Sequence, residues 1–469
     1  MSHLGSAEHP LRVAVIGAGP AGFFVAQHLA QRTDIALAID LFERLPMPFG
    51  LVRYGVAPDH EEIKRVARSF EKTTAKPNVR LFANVELGRH VTLDDLRRHY
   101  HQICVTTGAP SDRRLGIPGE DLPGSHPATE FVAWYNGHPD YRHLTFDLSA
   151  ERAAVIGVGN VAVDVARILA RSPDDLASTD IADYALDALR NSRIREVVVI
   201  GRRGPVQAAF TPPELKELGE LTGVDVAVRP DEVELDPASR AELERADDRA
   251  VHRKVEILHE FALRQPSGQP RRLVLRFLLS PVEISPDRNG RVGSIRLVRN
   301  VLRPDERGTL QAHPTGATED LDVGLVFRSV GYRGVAVPGV PFDERRGTIP
   351  NAAGRVLDPA TGKPIPGMYV SGWIKRGPTG VIGTNKPDAA ETVKAMLEDA
   401  ACLACLSPDA PAPLAAESLI RERCPAFLSY SDWRKIDELE TARGKPAGRP
   451  RVKFTCVEEV DAALRRKGA

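Results

Sequence analysis

Cysteine is scarce in this chain of 469 residues, with five in all, at positions 104, 402, 405, 424 and 456. So few in so long a chain exclude a disulfide framework, and the scatter of Cys104, Cys424 and Cys456 offers no iron–sulfur site by spacing. Cys402 and Cys405 have the spacing of a redox pair, but they follow a helix expected over 388–401 and lack Trp, Gly, Pro or His neighbours. They read as two small apolar residues on or near a helix face, and no metal ligand set is expected. Long hydrophobic runs are also missing. No stretch of about 18 apolar residues exists, which excludes a transmembrane helix. The first ten residues have neither a basic n-region nor an apolar h-region, so no export signal is expected and the chain reads as cytoplasmic. Net charge is missing too, since Lys plus Arg and Asp plus Glu number 63 each. No global field therefore points to nucleic acid or to a membrane, and a charged partner must be met by a local patch. What is present is 42% hydrophobic content over a length that suits two or three domains.

Two glycine fingerprints stand out. Gly17, Gly19, Ala21 and Gly22 lie in a GAGPAG segment after the apolar run 13–16. Gly157, Gly159, Asn160, Val161 and Ala162 lie in GVGNVA after 153–156. Each fits the strand, tight turn and helix arrangement in which backbone N–H groups and a helix N-terminus receive a pyrophosphate. Alone, either motif is weak, so the flanks decide. After the first, a polar-faced helix over 23–31 leads to the apolar run 35–42, closed by Glu43. A carboxylate there accepts hydrogen bonds from a ribose diol and repels a 2′-phosphate, so this site reads as FAD or NAD. After the second, a helical insertion leads to 197–200 and then to Arg202 and Arg203. Paired guanidiniums match a phosphate monoester, so this site reads as NADP, the alternative being that both are ordinary surface cations. Two redox nucleotides on one chain suggest electron transfer between them.

The order of segments suggests a split domain. Strands are expected at 79–85 and 102–108, and a Pro/Gly/Asp-rich stretch over 109–124 marks a crossing into a second domain. That domain ends near 330, and a further strand at 367–373 completes the first sheet. The expected fold is α/β, with two Rossmann-like three-layer dinucleotide-binding domains. The NADP domain (109–330) is inserted into a discontinuous FAD domain (1–108 and 331–469) that carries a C-terminal helical extension.

The segment Pro46-Met-Pro-Phe-Gly-Leu-Val-Arg-Tyr-Gly-Val-Ala-Pro-Asp-His60 resembles the signature loop of the adrenodoxin reductase family, NADPH-dependent ferredoxin reductases of mitochondria and bacteria. So do Gly159 to Asp164, Gly201 to Pro205, Phe210 to Leu215 and Gly372 to Asn385, in the family's order across 10–395, and the tail segments 431–437 and 448–451. The resemblance implies hydride transfer from NADPH to FAD and single-electron delivery to a ferredoxin, whose iron–sulfur centre the partner supplies. It places His60 and Glu214 near the nicotinamide, orienting its carboxamide, interacting with each other and tuning flavin protonation. Read from the residues alone, His60 is a turn residue after Pro58-Asp59, and Glu214 is a helix-start acid after Pro212-Pro213.

The resemblance also places Trp373, Gly380, Val381 and Ile382 against the flavin ring and ribityl chain, with Leu51 and Val85 contributing apolar or backbone contacts. Trp373 read alone is equally a core aromatic. Gly380 is expected to touch NADP as well, and Arg113 either meets the NADP phosphates or is plain surface charge. A ferredoxin is usually acidic, so its docking surface should be locally basic. The candidates are Arg249, Arg253 and Lys254, with Arg264, Arg271 and Arg272 beyond, although interleaved acids from Glu242 to Glu260 also suit an ordinary solvated helix. A monomer is expected. Two rival activities remain at this point, an FAD- and NADPH-dependent monooxygenase and a disulfide reductase. The first lacks its motif between the fingerprints, and for the second the cysteine pair lies outside the nucleotide motifs. A non-enzymatic nucleotide-sensing flavoprotein is the third alternative.

Overall fold

The computed structural model describes residues 4–467, and the chain divides into two compact units, Met1–Ser111 with Gly331–Ala469, and Asp112–Val330. The first unit is built on a seven-stranded sheet in the order Asn351–Ala352, Arg355–Leu357, Pro364–Val370, Gln102–Val105, Leu11–Ile16, Leu37–Glu43, Val79–Ala83. Its last five strands are mutually parallel. Parallel strands are covered on both faces, which is why Leu11–Ile16 is apolar at nearly every position and buried throughout. Leu11, Val13 and Val15 face one core with Phe23, Phe70, Met396 and Trp433. Ala14 and Ile16 face the other with Leu93, Leu96 and Ile420. Helices therefore pack on both faces, giving three layers.

The helix after the first fingerprint, Pro20–Ala30, differs from its sequence reading. It buries Ala21 to Ala26 continuously, together with Leu29 and Ala30, so it is a core helix and not a polar-faced one. The physical reason is its position between the sheet and the helix Asn385–Ala401, which closes over its outer side.

The second unit carries a six-stranded parallel sheet in the order Ser125–Pro127, Leu325–Arg328, Arg152–Ile156, Glu196–Ile200, Arg271–Arg276, Val224–Val228. Ala153, Val155, Val197 and Val199 turn toward helices, among them Asn160–Ala170, Pro212–Leu218 and Arg249–Leu263. The alternate residues Ala154, Ile156, Val198 and Ile200 turn to the opposite side, where Leu279, Ile284, Val292, Ile295 and Leu297 cover them. Those covering residues belong to a three-stranded antiparallel sheet, Leu279–Pro286, Val292–Pro304 and Leu310–Asp322. The sequence reading missed this sheet. It is a long twisted meander whose outer face is polar, so its hydrophobic pattern is weak except at the few residues that cap the parallel sheet.

In both units the glycine turn follows the carboxyl end of a central strand, with a parallel neighbour on each side. That is where ligands bind in open α/β sheets.

Candidate functional site

In the first unit the turn after Leu11–Ile16 holds Gly17 at φ +107, and a Cβ there would lie 2.8 Å from the Thr106 carbonyl oxygen. Only glycine relieves both constraints. A Cβ at Gly22 would strike the carbonyl of Gly17, which fixes how closely the helix approaches the turn. Glu43, at the end of its strand, uses one carboxylate oxygen on this turn and the other on the chain just after its own strand. One accepts the Ala18 amide at 2.9 Å and the other the Leu45 amide at 3.0 Å. Burial pushes its carboxyl above the usual range, with those two amides opposing the shift. Each carboxylate oxygen offers two acceptor positions, so the group can also receive a ribose diol.

Other segments converge on the same turn. The Phe49 amide donates to the Ala18 carbonyl at 2.8 Å, and a Cβ on Gly50 would come within 3.0 Å of the Gly19 Cα. This seats the loop 46–60, and with it the half-exposed Leu51, directly on the fingerprint. Val85 is buried and its amide donates to the Glu43 carbonyl at 2.8 Å. The strand Pro364–Val370 delivers Gly372 at φ +84, where a Cβ would sit 2.5 Å from the Ala21 Cβ. Asp388 holds that turn, accepting the Gly372 amide at 2.6 Å and the Ser371 hydroxyl at 2.9 Å, and it pairs with Lys375 at 3.1 Å.

Trp373 follows, half-buried, donating Nε1–H to the Thr379 carbonyl at 3.1 Å and lying 5.2 Å from the Tyr332 ring. Gly380 and Val381 are exposed and Ile382 is half-buried, just ahead of the helix Asn385–Ala401. Their arrangement presents backbone groups beside a helix N-terminus. The loop is clamped from beneath by the C-terminal extension. Buried Arg53 forms a two-pronged pair with fully buried Glu440, with contacts of 2.5 and 2.9 Å, and Phe49 meets Trp433 edge-on at 5.4 Å. His60 ends the loop as the residue preceding the short helix Glu61–Lys64, with its amide donating to the Ala57 carbonyl at 3.1 Å.

In the second unit Gly157 sits at φ +136, and a Cβ there would collide with the Ser329 carbonyl oxygen. Gly159 is different, because a Cβ there would meet nothing within 4 Å. It lies at the open mouth of the turn, ahead of the half-buried Val161 and the buried Ala162 of the helix Asn160–Ala170. The Asn160 side-chain carbonyl accepts the Thr211 amide at 2.9 Å, and the Val158 carbonyl accepts the amides of Ala209 and Phe210 at 2.8 and 3.0 Å. The glycine turn is thereby stitched to the segment that begins with the arginine pair.

Arg202 is exposed and Arg203 half-buried. Neither guanidinium has a carboxylate or other acceptor partner among the described residues, in a molecule where most arginines are paired. Burial and the neighbouring Arg202 both lower the basicity of Arg203. Two adjacent cations with no carboxylate in ion-pair contact among the described residues, and only Glu242 acting on Arg203 from farther away, form a site for an anion.

Glu214 lies in the first turn of Pro212–Leu218 and is buried, as a helix-start acid. Its carboxylate meets the Arg167 guanidinium at 3.3 Å, and Arg167, itself 1% exposed, also holds Asp164 at 2.7 Å. Sequence reasoning missed Arg167. The i, i+3 spacing of Asp164 and Arg167 on one helix was a usable signal, but the contact with Glu214 was not.

Gly380 belongs to the first unit and Arg113 to the second, where Arg113 is exposed and has no ion-pair partner among the described residues. The docking expectation at Arg249, Arg253 and Lys254 needs correction. Lys254 is only 5% exposed, and its ammonium points inward to backbone carbonyls. Arg253 is neutralised by Glu256 at 2.9 Å and Glu260 at 3.1 Å. Arg249 remains exposed, and one cation does not make a basic surface. Cys402 ends the helix Asn385–Ala401, and Cys405 accepts a hydrogen bond from the Gln102 side chain at 3.4 Å. No helix is long and apolar enough to cross a membrane among the described residues.

Comparison with known proteins agrees with this geometry. The pyridine nucleotide-disulphide oxidoreductase family matches residues 11–234. The NADPH-ferredoxin reductase FprA of Mycobacterium tuberculosis is 47% identical over 462 residues, 96% of this chain and 98% of the relative. The mitochondrial NADPH:adrenodoxin oxidoreductase of Salvelinus fontinalis is 42% identical over 461 residues, 96% of this chain and 90% of the relative. The solved structure of Mycobacterium tuberculosis FprA in complex with NADPH superposes with a TM-score of 0.89 at 47% identity, covering 97% of this chain and 99% of that one.

Proposed function

The chain belongs to the family of NADPH-ferredoxin reductases of the adrenodoxin reductase type, and we propose that it carries electrons from NADPH through FAD to a ferredoxin. FAD supplies the conversion that this requires, accepting a hydride and releasing its two electrons one at a time. The single observation that carries the reading is the contrast between the two glycine turns. One is closed by a carboxylate, Glu43, and the other by two guanidiniums, Arg202 and Arg203, that make no ion pair among the described residues.

The first unit holds FAD. The turn 17–22 takes the pyrophosphate, Glu43 the ribose, and Leu51, Val85, Trp373 and the backbone of 380–382 surround the rest. The second unit holds NADPH. Gly159 leaves room for the pyrophosphate, and the amides at the start of Asn160–Ala170 face it. Arg202 and Arg203 take the 2′-phosphate, while an acid in that position would repel it. His60 and Glu214 orient the nicotinamide carboxamide, with Arg167 holding the Glu214 carboxylate in place. Neither residue is required to abstract a proton, since a hydride moves as a unit.

The test is NADPH-driven cytochrome c reduction by the purified yellow protein, with and without added iron–sulfur ferredoxins. Strong stimulation by a ferredoxin is the expected result. NADPH oxidation that no ferredoxin accelerates would overturn the partner assignment and move the reading to another acceptor, with monooxygenase activity the first alternative.

A further inference from the structure

The helix Arg249–Leu263 buries Lys254, Val255, Ile257, Leu258 and Phe261. Residues 254, 257, 258 and 261 have the i, i+3, i+4, i+7 spacing of a core-facing stripe, so a lysine occupies a position meant for an apolar side chain. It sits beside a small apolar cluster of Val206, Leu243 and Val255. Burying an ammonium is costly unless it is paired and hydrogen-bonded. No carboxylate lies within ion-pair distance of it among the described residues. Its Nζ instead donates to two backbone carbonyls, Val206 at 3.1 Å and Ala208.

Those carbonyls belong to the strap that joins the two halves of the NADPH site. Upstream are Arg202 and Arg203, whose own carbonyls are held by the Asn300 side chain at 2.9 Å and the Leu278 amide at 3.2 Å. Immediately downstream, the Ala209 and Phe210 amides bond to Val158 in the glycine turn. Gln207, between the two carbonyls, is fixed by Glu242 at 2.7 Å. Lys254 is thus the pin at the middle of a strap whose one end offers the guanidiniums and whose other end is stitched to the pyrophosphate turn.

We infer that Lys254 is a positioning residue for NADPH selectivity, its buried ammonium fixing the 206–208 strap that aims Arg202 and Arg203 at the 2′-phosphate. The inference rests on the assignment of that phosphate to the arginine pair. The charge of Lys254 also acts on the site. Burial and Arg203 lower its basicity to about 8 against the opposing pull of Asp248 and Glu242. A bound phosphate dianion would favour its protonated form. The affinity it supports is therefore full below about pH 8 and lost as the pH rises above it, through the higher value that the group takes in the complex.

The experiment measures binding of 2′,5′-ADP and of 5′-AMP to the flavin-loaded protein by calorimetry, for wild type, Lys254→Met, Lys254→Arg and the Arg202→Ala/Arg203→Ala pair. Lys254→Met is expected to weaken 2′,5′-ADP by about tenfold relative to 5′-AMP. In the wild type that ratio should fall between pH 7 and 9.5, and Lys254→Arg, which stays charged, should flatten the fall. If Lys254→Met does not fold, the wild-type pH profile decides alone. An unchanged ratio in Lys254→Met, or a wild-type ratio flat with pH, overturns the inference. If the arginine pair variant also keeps the ratio, the phosphate assignment itself has failed. If only the arginine variant loses it, the failure belongs to Lys254.

Discussion

Replacing Arg202 and Arg203 together by alanine is expected to remove most of the preference for NADPH over NADH. The size follows from their surroundings. Arg203 is half-buried, and a hydrogen bond from such a charged group to a phosphate contributes about 1.5–3 kcal/mol. Arg202 is exposed, and a solvent-screened pair contributes about 0–1 kcal/mol. The sum, about 1.5–4 kcal/mol, corresponds to a loss of roughly 10- to 700-fold in the ratio of kcat/KM for the two coenzymes. No carboxylate is left behind, because neither guanidinium has a protein partner among the described residues. The melting temperature should therefore hold or rise slightly as the mutual repulsion of the two cations is relieved. The assay is steady-state ferricyanide reduction with each coenzyme, at low and moderate ionic strength, since the wild-type preference should shrink with salt. An unchanged preference in a variant with normal flavin content would refute the assignment of the phosphate to these residues.

Three further outcomes are expected. Gly159→Ala places a methyl group in open space at an ordinary φ of −104°. Denaturant stability should change by less than about 0.5 kcal/mol, while the KM for NADPH rises and flavin content holds; a fall in stability without a KM effect would count against the cradle. Arg167→Met takes the buried guanidinium away from the Asp164 and Glu214 carboxylates, and a cost of about 3–5 kcal/mol should appear in urea unfolding. Asp112, raised to about 7 by burial and by Glu130, is held as a carboxylic acid in the folded state below neutral pH. Because the folded form binds the extra proton, the resulting stability is full below about pH 4 and lost as the pH rises through 7. Asp112→Asn should melt with wild type near pH 4 and above it at pH 8, and a constant difference across that range would show that Asp112 titrates normally.

Much of the site was legible because its demands are local. A glycine turn needs φ values and clearances that only glycine supplies, so Gly17 and Gly157 announce themselves in sequence, and the residue ending the next strand is at a fixed place relative to each turn. The places of Glu43 and the arginine pair at the ends of those strands could be read for that reason. Contacts made across the chain could not. Arg53 finds Glu440 across 387 residues, Gly372 abuts Ala21, and Arg167 reaches Glu214 across 47 residues. No periodicity encodes such pairs. The antiparallel sheet 279–322 was hidden for a different reason. Its outer face meets water, so its core signal is confined to Leu279, Ile284, Val292, Ile295 and Leu297 with a few further positions such as Val298 and Leu310.

Lys254 shows where a pattern was present and was read for the wrong property. Counting charges along 249–264 makes it one cation among several on a solvated helix. Counting period instead puts it on the same stripe as Ile257, Leu258 and Phe261. A lysine on the apolar stripe of an amphipathic helix must either reach water along its stem or find acceptors inside. Here the stem ends at two carbonyls of the strap that follows the arginine pair, so the ammonium is turned toward the site proposed for the nucleotide phosphate and away from a protein-docking face. The same argument sets what a ferredoxin-docking search should use. Arg253, already answered by two glutamates, and Lys254, turned inward, are both cations by sequence and neither presents its charge to a partner. Basic residues that stay exposed and unanswered by an acid are the ones whose substitution should slow ferredoxin reduction while leaving ferricyanide reduction intact.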